Sequence, residues 1–331
     1  MHASSWLNHG VVSRAPPYLA LKHVEGSDQP IFYDISEKKA GVVEGLGSLT
    51  NTNCWATPQG WVLVRDAPSL TTYLADPHNP TDHTATGRIP LPHLPDGNLP
   101  TQCTCLLSDY YHPSASADDY AAAAGSSSCV VLLVETHAAV IWYCRIGGEA
   151  WVRHEYDIGT LDIGYAEYAL EASHTPDSGV PGQQVGVLEF SSPDAAPVFS
   201  SIVIRNPIAG PKVFRKVFMV ESGQELFMVS LMSGFDLDVV FGLTVHRMDF
   251  ARDEWVKADD IGGRAFLLSY WYFGASRSAD ECGLELNCIY VPYTWKKRMM
   301  IFNVRNRTAK VQDLHGAPAS NQVLWMLPTH P

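Results

Sequence analysis

The feature that most limits what this chain can fold into is the shortness of its apolar runs. Residues 18–21, 31–33, 61–64, 185–190, 198–204, 213–220, 226–231, 239–245, 265–271, 287–290 and 299–304 are each brief. Val, Ile, Leu, Met, Phe, Tyr and Trp make up most of these runs, and polar or Gly-containing turns separate them. None is long enough to form a helix with its own apolar face. Many short β-rich runs with turn signals between them predict an all-β sandwich, barrel or propeller. No region alternates strands with long amphipathic helices, which disfavours an α/β fold.

The longest apolar window, CVVLLVETHAAVIWYC at 129–144, reads as a hairpin bending near Glu135, Thr136 and His137. It is too short for a bilayer helix, and Glu135 and His137 interrupt it, so no membrane span is expected. Residues 1–10 lack the apolar core of a secretory signal. With 331 residues and 46% of them apolar, the chain can bury a sizeable core. Three stretches look irregular. Residues 1–16 read as a tail. Residues 114–128, rich in Ala and Ser, and 171–184, punctuated by Pro and Gly, read as surface insertions. Residues 76–100 hold several prolines and read as loop with a short extended piece at 88–91. One domain over 17–328, with a tail at 329–331, is the expected organisation.

An internal rhythm selects among the β architectures. IWYCRIGGEAWVRHEYDIG from Ile141, LTVHRMDFARDEWVKADDIGG from Leu243 and MMIFNVRNRTAKVQDLHG from Met299 share one pattern. Each is an apolar strand, a polar turn and a second strand closing on Ile-Gly or Leu-His-Gly. Trp151 and Trp255 match in this alignment, with Lys310 in the third copy. The spacings are about two blade lengths and then one, for a period of about 40 to 55 residues. That predicts a β-propeller of roughly six or seven antiparallel blades, one of which can be incomplete. Closure of the ring is expected from a pairing of residues 323–327 with a strand inside 18–22, which removes two exposed edges.

Several segments also resemble a known family. VFMVESGQELFMVSL (217–231), VHRMDFARDEWVKADDIGGRAFLLSYWYFGAS (245–276), GLELNCIYVPY (283–293), IFNVRNRTAKVQDL (301–314) and VLWMLP (323–328) are similar to the plant KIB-type β-propeller proteins, formerly grouped as the DUF295 domain family. GWVLV (60–64) and the stretch from 73 to 94 resemble the first blades. The resemblance implies a propeller that presents a substrate protein, in relatives that carry an F-box helical segment recruiting a ubiquitin ligase scaffold. The residues before Pro17 are too few for that segment, so an F-box is not expected here.

Candidate chemistry is sparse. Gly262-Gly263-Arg264 lacks any phosphate-loop pattern and reads as a turn. In Asp259-Asp260-Ile261-Gly262-Gly263 the acids are expected to cap turns and the glycines to supply positive φ. Cys103-x-Cys105 with His112 has the wrong spacing for a zinc knuckle and reads as strand cysteines sharing one face. Cys282 and Cys288 lack a nearby histidine, and the odd total of seven cysteines fits reduced thiols in an intracellular compartment, cytoplasmic or nuclear. The carboxylate pairs Asp236/Asp238 and Asp259/Asp260 are candidates by adjacency alone, and no GxSxG elbow is present. No catalytic, cofactor or metal residue is therefore assigned, and no cofactor is expected.

The net charge of −12 argues against a nucleic-acid partner. The densest basic stretch, Lys296-Lys297-Arg298 with Arg305, Arg307 and Lys310, reads as solvated turns around one buried strand. Loop aromatics Tyr110, Tyr111, Tyr293 and Trp295 are the candidates for partner contact. The expected function is a monomeric, non-enzymatic protein-interaction module related to substrate recognition in the ubiquitin system. Two alternatives stand beside it. One is a divergent copy with little retained activity. The other is an enzyme, such as a hydrolase, whose dispersed residues meet at one propeller face.

Overall fold

The computed structural model describes residues 17–21, 31–41, 52–66, 68–78, 88–95, 103–108, 129–135, 138–155, 184–190, 197–204, 214–233, 240–268, 273–320 and 323–329. Within them the chain is almost entirely strand. The expected insertion at 114–128 and the tail at 1–16 lie outside these residues. So does 171–183, while Gln184 opens a strand.

Twenty-three strands follow one another: β1 (Tyr18–Leu21), β2 (Ile31–Asp34), β3 (Lys39–Gly41), β4 (Thr52–Ala56), β5 (Val62–Asp66), β6 (Thr72–Ala75), β7 (Arg88–Leu91) and β8 (Cys103–Leu107). Then come β9 (Val130–Glu135), β10 (Val140–Arg145), β11 (Val152–Glu155), β12 (Gln184–Glu189), β13 (Val198–Val203), β14 (Phe214–Ser222), β15 (Glu225–Ser233) and β16 (Val240–Asp249). The last are β17 (Glu254–Lys257), β18 (Arg264–Leu268), β19 (Phe273–Ser278), β20 (Cys288–Tyr293), β21 (Arg298–Asn303), β22 (Thr308–Asp313) and β23 (Val323–Met326). Among the described residues a 3-10 turn, Thr294–Lys296, lies between β20 and β21.

These strands form meanders. The orders β23-β1-β2-β3, β4-β5-β6-β7 and β8-β9-β10-β11 are four-stranded sheets, and β12-β13 is a hairpin. A nine-stranded sheet joins the meander β17-β16-β15-β14 to the five strands β19-β18-β20-β21-β22. The join is slight, two residue pairs of parallel contact between β14 and β19. Taking each meander as a blade gives six blades among the described residues. The sixth departs from the expected antiparallel pattern, because β18 and β20 run parallel. The β18–β19 hairpin lies between β14 and β20 in that sheet.

The packing shows that the blades form a closed ring. Side chains alternate across each strand, so an inner strand contributes to the interfaces on both sides. Leu19 and Leu21 pack toward the sixth blade, with Ala265, Leu267, Tyr290 and Trp325. Ala20, on the other face, joins Val62, Val64 and Met326 against the second. Leu63 turns toward the third blade, with Cys105, Leu133 and Trp142. Tyr143 meets Phe190 edge-on at 5.2 Å between the third and fourth. Ile204 packs on Met228, Met248 and Trp255 between the fourth and fifth. Phe218, Val220 and Phe227 meet Phe266, Leu268 and Ile289 between the fifth and sixth. The cycle returns to its start. Burial on both faces explains why these strands read as continuous apolar runs rather than alternating ones.

The three rhythmic segments are the outer hairpins of their blades: β10–β11, β16–β17 and β21–β22. The structure corrects one alignment within them. Trp255 pairs with Met248, two residues beyond Asp253 at positive φ. In the last copy the residue two beyond Arg307, also at positive φ, is Ala309, paired with Phe302. Lys310 is therefore on the opposite face, since a slip of one residue reverses a strand's facing. A fourth copy, DISEKKAG at 34–41, was missed. There Asp34 precedes the turn, Lys38 takes the positive φ and Ala40 takes the tryptophan's place. The signal was available: Asp34, Asp249 and Asn303 each stand five residues before the strand resumes, accepting turn amides 2.8–3.2 Å away.

Candidate binding surface

Ring closure sets the frame of any site. β1 pairs antiparallel with β23, Tyr18 opposite Met326 through Leu21 opposite Val323, as the sequence pattern predicts. Beyond β23 the chain is locked at Pro328. The guanidinium of Arg277, 1% exposed, donates to the carbonyls of Ser276 at 2.8 Å and Pro328 at 2.9 Å. Gly60 presses on the same carbonyl, where a Cβ would stand 2.3 Å from the Pro328 oxygen. Thr329 reaches Asp76 at 3.4 Å. Arg264 and Ser222 converge on the Ser276 hydroxyl at 2.9 and 2.7 Å. Burial pushes the His78 imidazole below its ordinary value. This polar knot joins the second, fifth, sixth and closing blades, and its bonds hold the seam.

Other polar bridges work the same way. Gln59 donates to the Leu107 carbonyl at 3.2 Å and accepts the Leu107 amide at 3.3 Å, linking the second and third blades. The Trp151 indole donates to the Pro92 carbonyl at 2.9 Å across the same interface.

The basic stretch surrounds a buried strand, with Met299, Met300 and Ile301 inside. Four of its charges are met by carboxylates. Arg298 faces Asp313 at 3.1 Å and Arg307 faces Asp259 at 2.7 Å. Arg305 pairs with Asp260, and Lys310 with Glu285. Hydrogen bonds from Arg307 and Arg305 hold the Asp259 and Asp260 carboxyls below the usual carboxylate range. Asp260 also caps Gly262, whose φ is +69°. Gly263 is not in the left-handed region, so only one of the two glycines is needed for the turn.

Cys103 and Cys105 share a face of β8 and lie buried in the core between the second and third blades. Burial pushes the Cys103 thiol up to about 12 and raises Cys105 and Cys144 strongly. Such thiols stay protonated and inert near neutrality. Among the described residues, no cluster of His, Cys, Asp and Glu is placed to hold a metal ion. No helix among them is long and apolar enough to cross a membrane. Of the candidate aromatics, Tyr110 and Tyr111 lie outside the described residues. The Tyr293 ring packs against the core between the fifth and sixth blades. Trp295 is placed by its backbone, in the 3-10 turn.

In the blades whose four strands are described, meander topology brings the turns between third and fourth strands to one face of the ring. Three of them share one backbone form but display unlike tips: Ser36-Glu37, Phe250-Ala251-Arg252 and Arg305-Asn306. Phe250 is 55% exposed at its tip.

A family model described as KIB1-4 beta-propeller matches residues 32–308. The chain belongs to the KIB1-4 β-propeller family. The match takes in β2 and β3 of the first blade and extends to the start of β22, so β1 and the closing strand β23 of this KIB-type propeller lie outside it. No match was found among curated proteins. Among solved structures, apo AztD from Citrobacter koseri is similar over 93% of this chain and 97% of that chain, at 8% identity and a TM-score of 0.31.

Proposed function

We propose that this KIB-type propeller is a non-enzymatic protein-interaction module whose rim turns meet a partner protein. The observation that carries this reading is Phe250, a large aromatic side chain held in solvent at the tip of a rigid turn. The Asp249 carboxylate accepts the amides of Ala251 and Arg252, so the tip is pre-organised. Exposed aromatics and arginines on rigid supports are the side chains that dominate protein interfaces. Equivalent turns with the same backbone and different tips suit a scaffold that varies its specificity without refolding. Presentation of a substrate to the ubiquitin machinery is the finer form of this proposal and draws on the family resemblance.

The test is a pull-down of the tagged protein from its native tissue, read by mass spectrometry, beside a Phe250→Ala/Arg252→Ala variant. Specific partners lost in the variant support the reading, and co-recovered ligase scaffold supports its finer form. A partner set identical for both proteins contradicts it.

A further inference from the structure

The closing seam holds a group whose charge can change near neutrality. His78 follows β6 and packs against the two strands that complete the ring. Its imidazole meets the Tyr18 ring of β1, with centroids 5.5 Å apart and planes tilted by 32°. It also interacts with the Met326 carbonyl of β23. Tyr18 and Met326 are cross-strand partners in the seam, so one side chain touches both members of a closing pair. The segment is held in place. The His78 amide donates to the Asp76 carboxylate at 2.9 Å, and the Thr329 hydroxyl donates to the second oxygen of that group at 3.4 Å.

This site suits a neutral imidazole. Nε2 of His78 is buried and has no hydrogen-bond partner among the described residues. A proton placed there is a donor without an acceptor. Its charge also stands near the Arg277 guanidinium, a permanent cation. The charged groups that face the imidazole are Asp76, from its own segment, and Arg277, from β19. Asp34 and Glu37 act on the Tyr18 phenol. Asp76 and the Met326 carbonyl favour the cation, whereas burial, the largest effect, and Arg277 oppose it.

We propose that His78 couples ring closure to pH: the seam closes on its neutral imidazole, and mild acid weakens that closure. With the ring open, His78 is in water and takes a proton at its ordinary value, about 6.5. In the closed ring burial holds it below that value. Its contribution to closure is therefore complete above the ordinary value and is lost as pH falls through it toward the closed-ring value. Exposed histidines contribute nothing of this kind, because opening the ring leaves their surroundings unchanged.

The experiment has two arms, both on the full chain. In the first, urea denaturation is measured at pH 7.5 and pH 5.5 for the native sequence and for His78→Gln. The unfolding constant of the native sequence should rise about five- to tenfold more between these pH values than that of the variant, since one proton is taken up on opening. In the second, the histidine side chains are labelled and titrated by NMR. The His78 resonance is assigned by its loss in His78→Gln or, should that variant not fold, by its contact with the Tyr18 ring. It should titrate below the ordinary value, and the amides of β1 and β23 should lose protection as it does. An identical pH dependence in His78→Gln overturns the proposal. So does a His78 that titrates at or above the ordinary value, or seam amides whose protection is indifferent to its titration.

Discussion

Arg277 shows most directly how single residues hold this fold. It lies in β19 between Ala275 and Ala279, both buried in one core cluster, a position where the pattern asks for another small apolar residue. Its guanidinium instead fixes the Pro328 carbonyl. Arg277→Ala should lower stability by about 2–3 kcal/mol, because it takes the charged donor from the Pro328 carbonyl, whereas the Ser276 carbonyl keeps Arg264 at 3.2 Å; chemical denaturation measures it. Gly60→Ala should be comparably harmful, since φ is +102° and the added methyl meets Pro328 backbone. Trp151→Ala removes a buried ring and its bond to Pro92, at about 3–5 kcal/mol. The thiols supply a pH prediction. Cys103 is raised in the folded state, so its contribution is complete below the unfolded thiol value and is lost as pH climbs toward about 12. Stability should therefore fall on the alkaline side. At pH 8 a thiol reagent should modify the half-buried Cys54 quickly and the other six only after denaturation.

At the level of elements, the hairpin turns and the closing strand account for the fold. The β14–β15 turn places Gly223 and Gln224 at φ +58° and +66°, the two-residue turn that suits the right-handed twist of paired strands. Gln224→Gly should stabilise by about 0.5–1 kcal/mol, because a side chain resists that conformation. Deleting residues 322–331 removes β23, and Trp325 with its bond to the Leu268 carbonyl at 2.8 Å. The melting temperature should drop clearly. Much of this was legible in the sequence. The short runs at 18–21, 88–91 and 299–304 became β1, β7 and β21, because β-branched and aromatic residues between polar turns have few other ways to be buried. The alignment of Lys310 with Trp255 failed because turn geometry, not residue similarity, fixes register. The site was less legible. Pairings such as Arg305 with Asp260 and Arg307 with Asp259 span 45 and 48 residues, and only the folded ring brings those turns together. Nothing local in FGASRS marks Arg277 as a latch.

For the whole molecule, the account rests on a cycle of interfaces in which each blade is buried by its neighbours and none is stable alone. The Phe250 turn belongs to the fifth blade, which packs on the sixth. The seam between β1 and β23 is where that cycle is completed by strands far apart in sequence. Native-state hydrogen exchange tests this most directly. A completed ring predicts that the amides exchanging across β1 and β23 open only with global unfolding, at the same free energy as those of β9 and β10. Amides at 18–21 and 323–326 that exchange by local opening, while β9 and β10 stay protected, would contradict it.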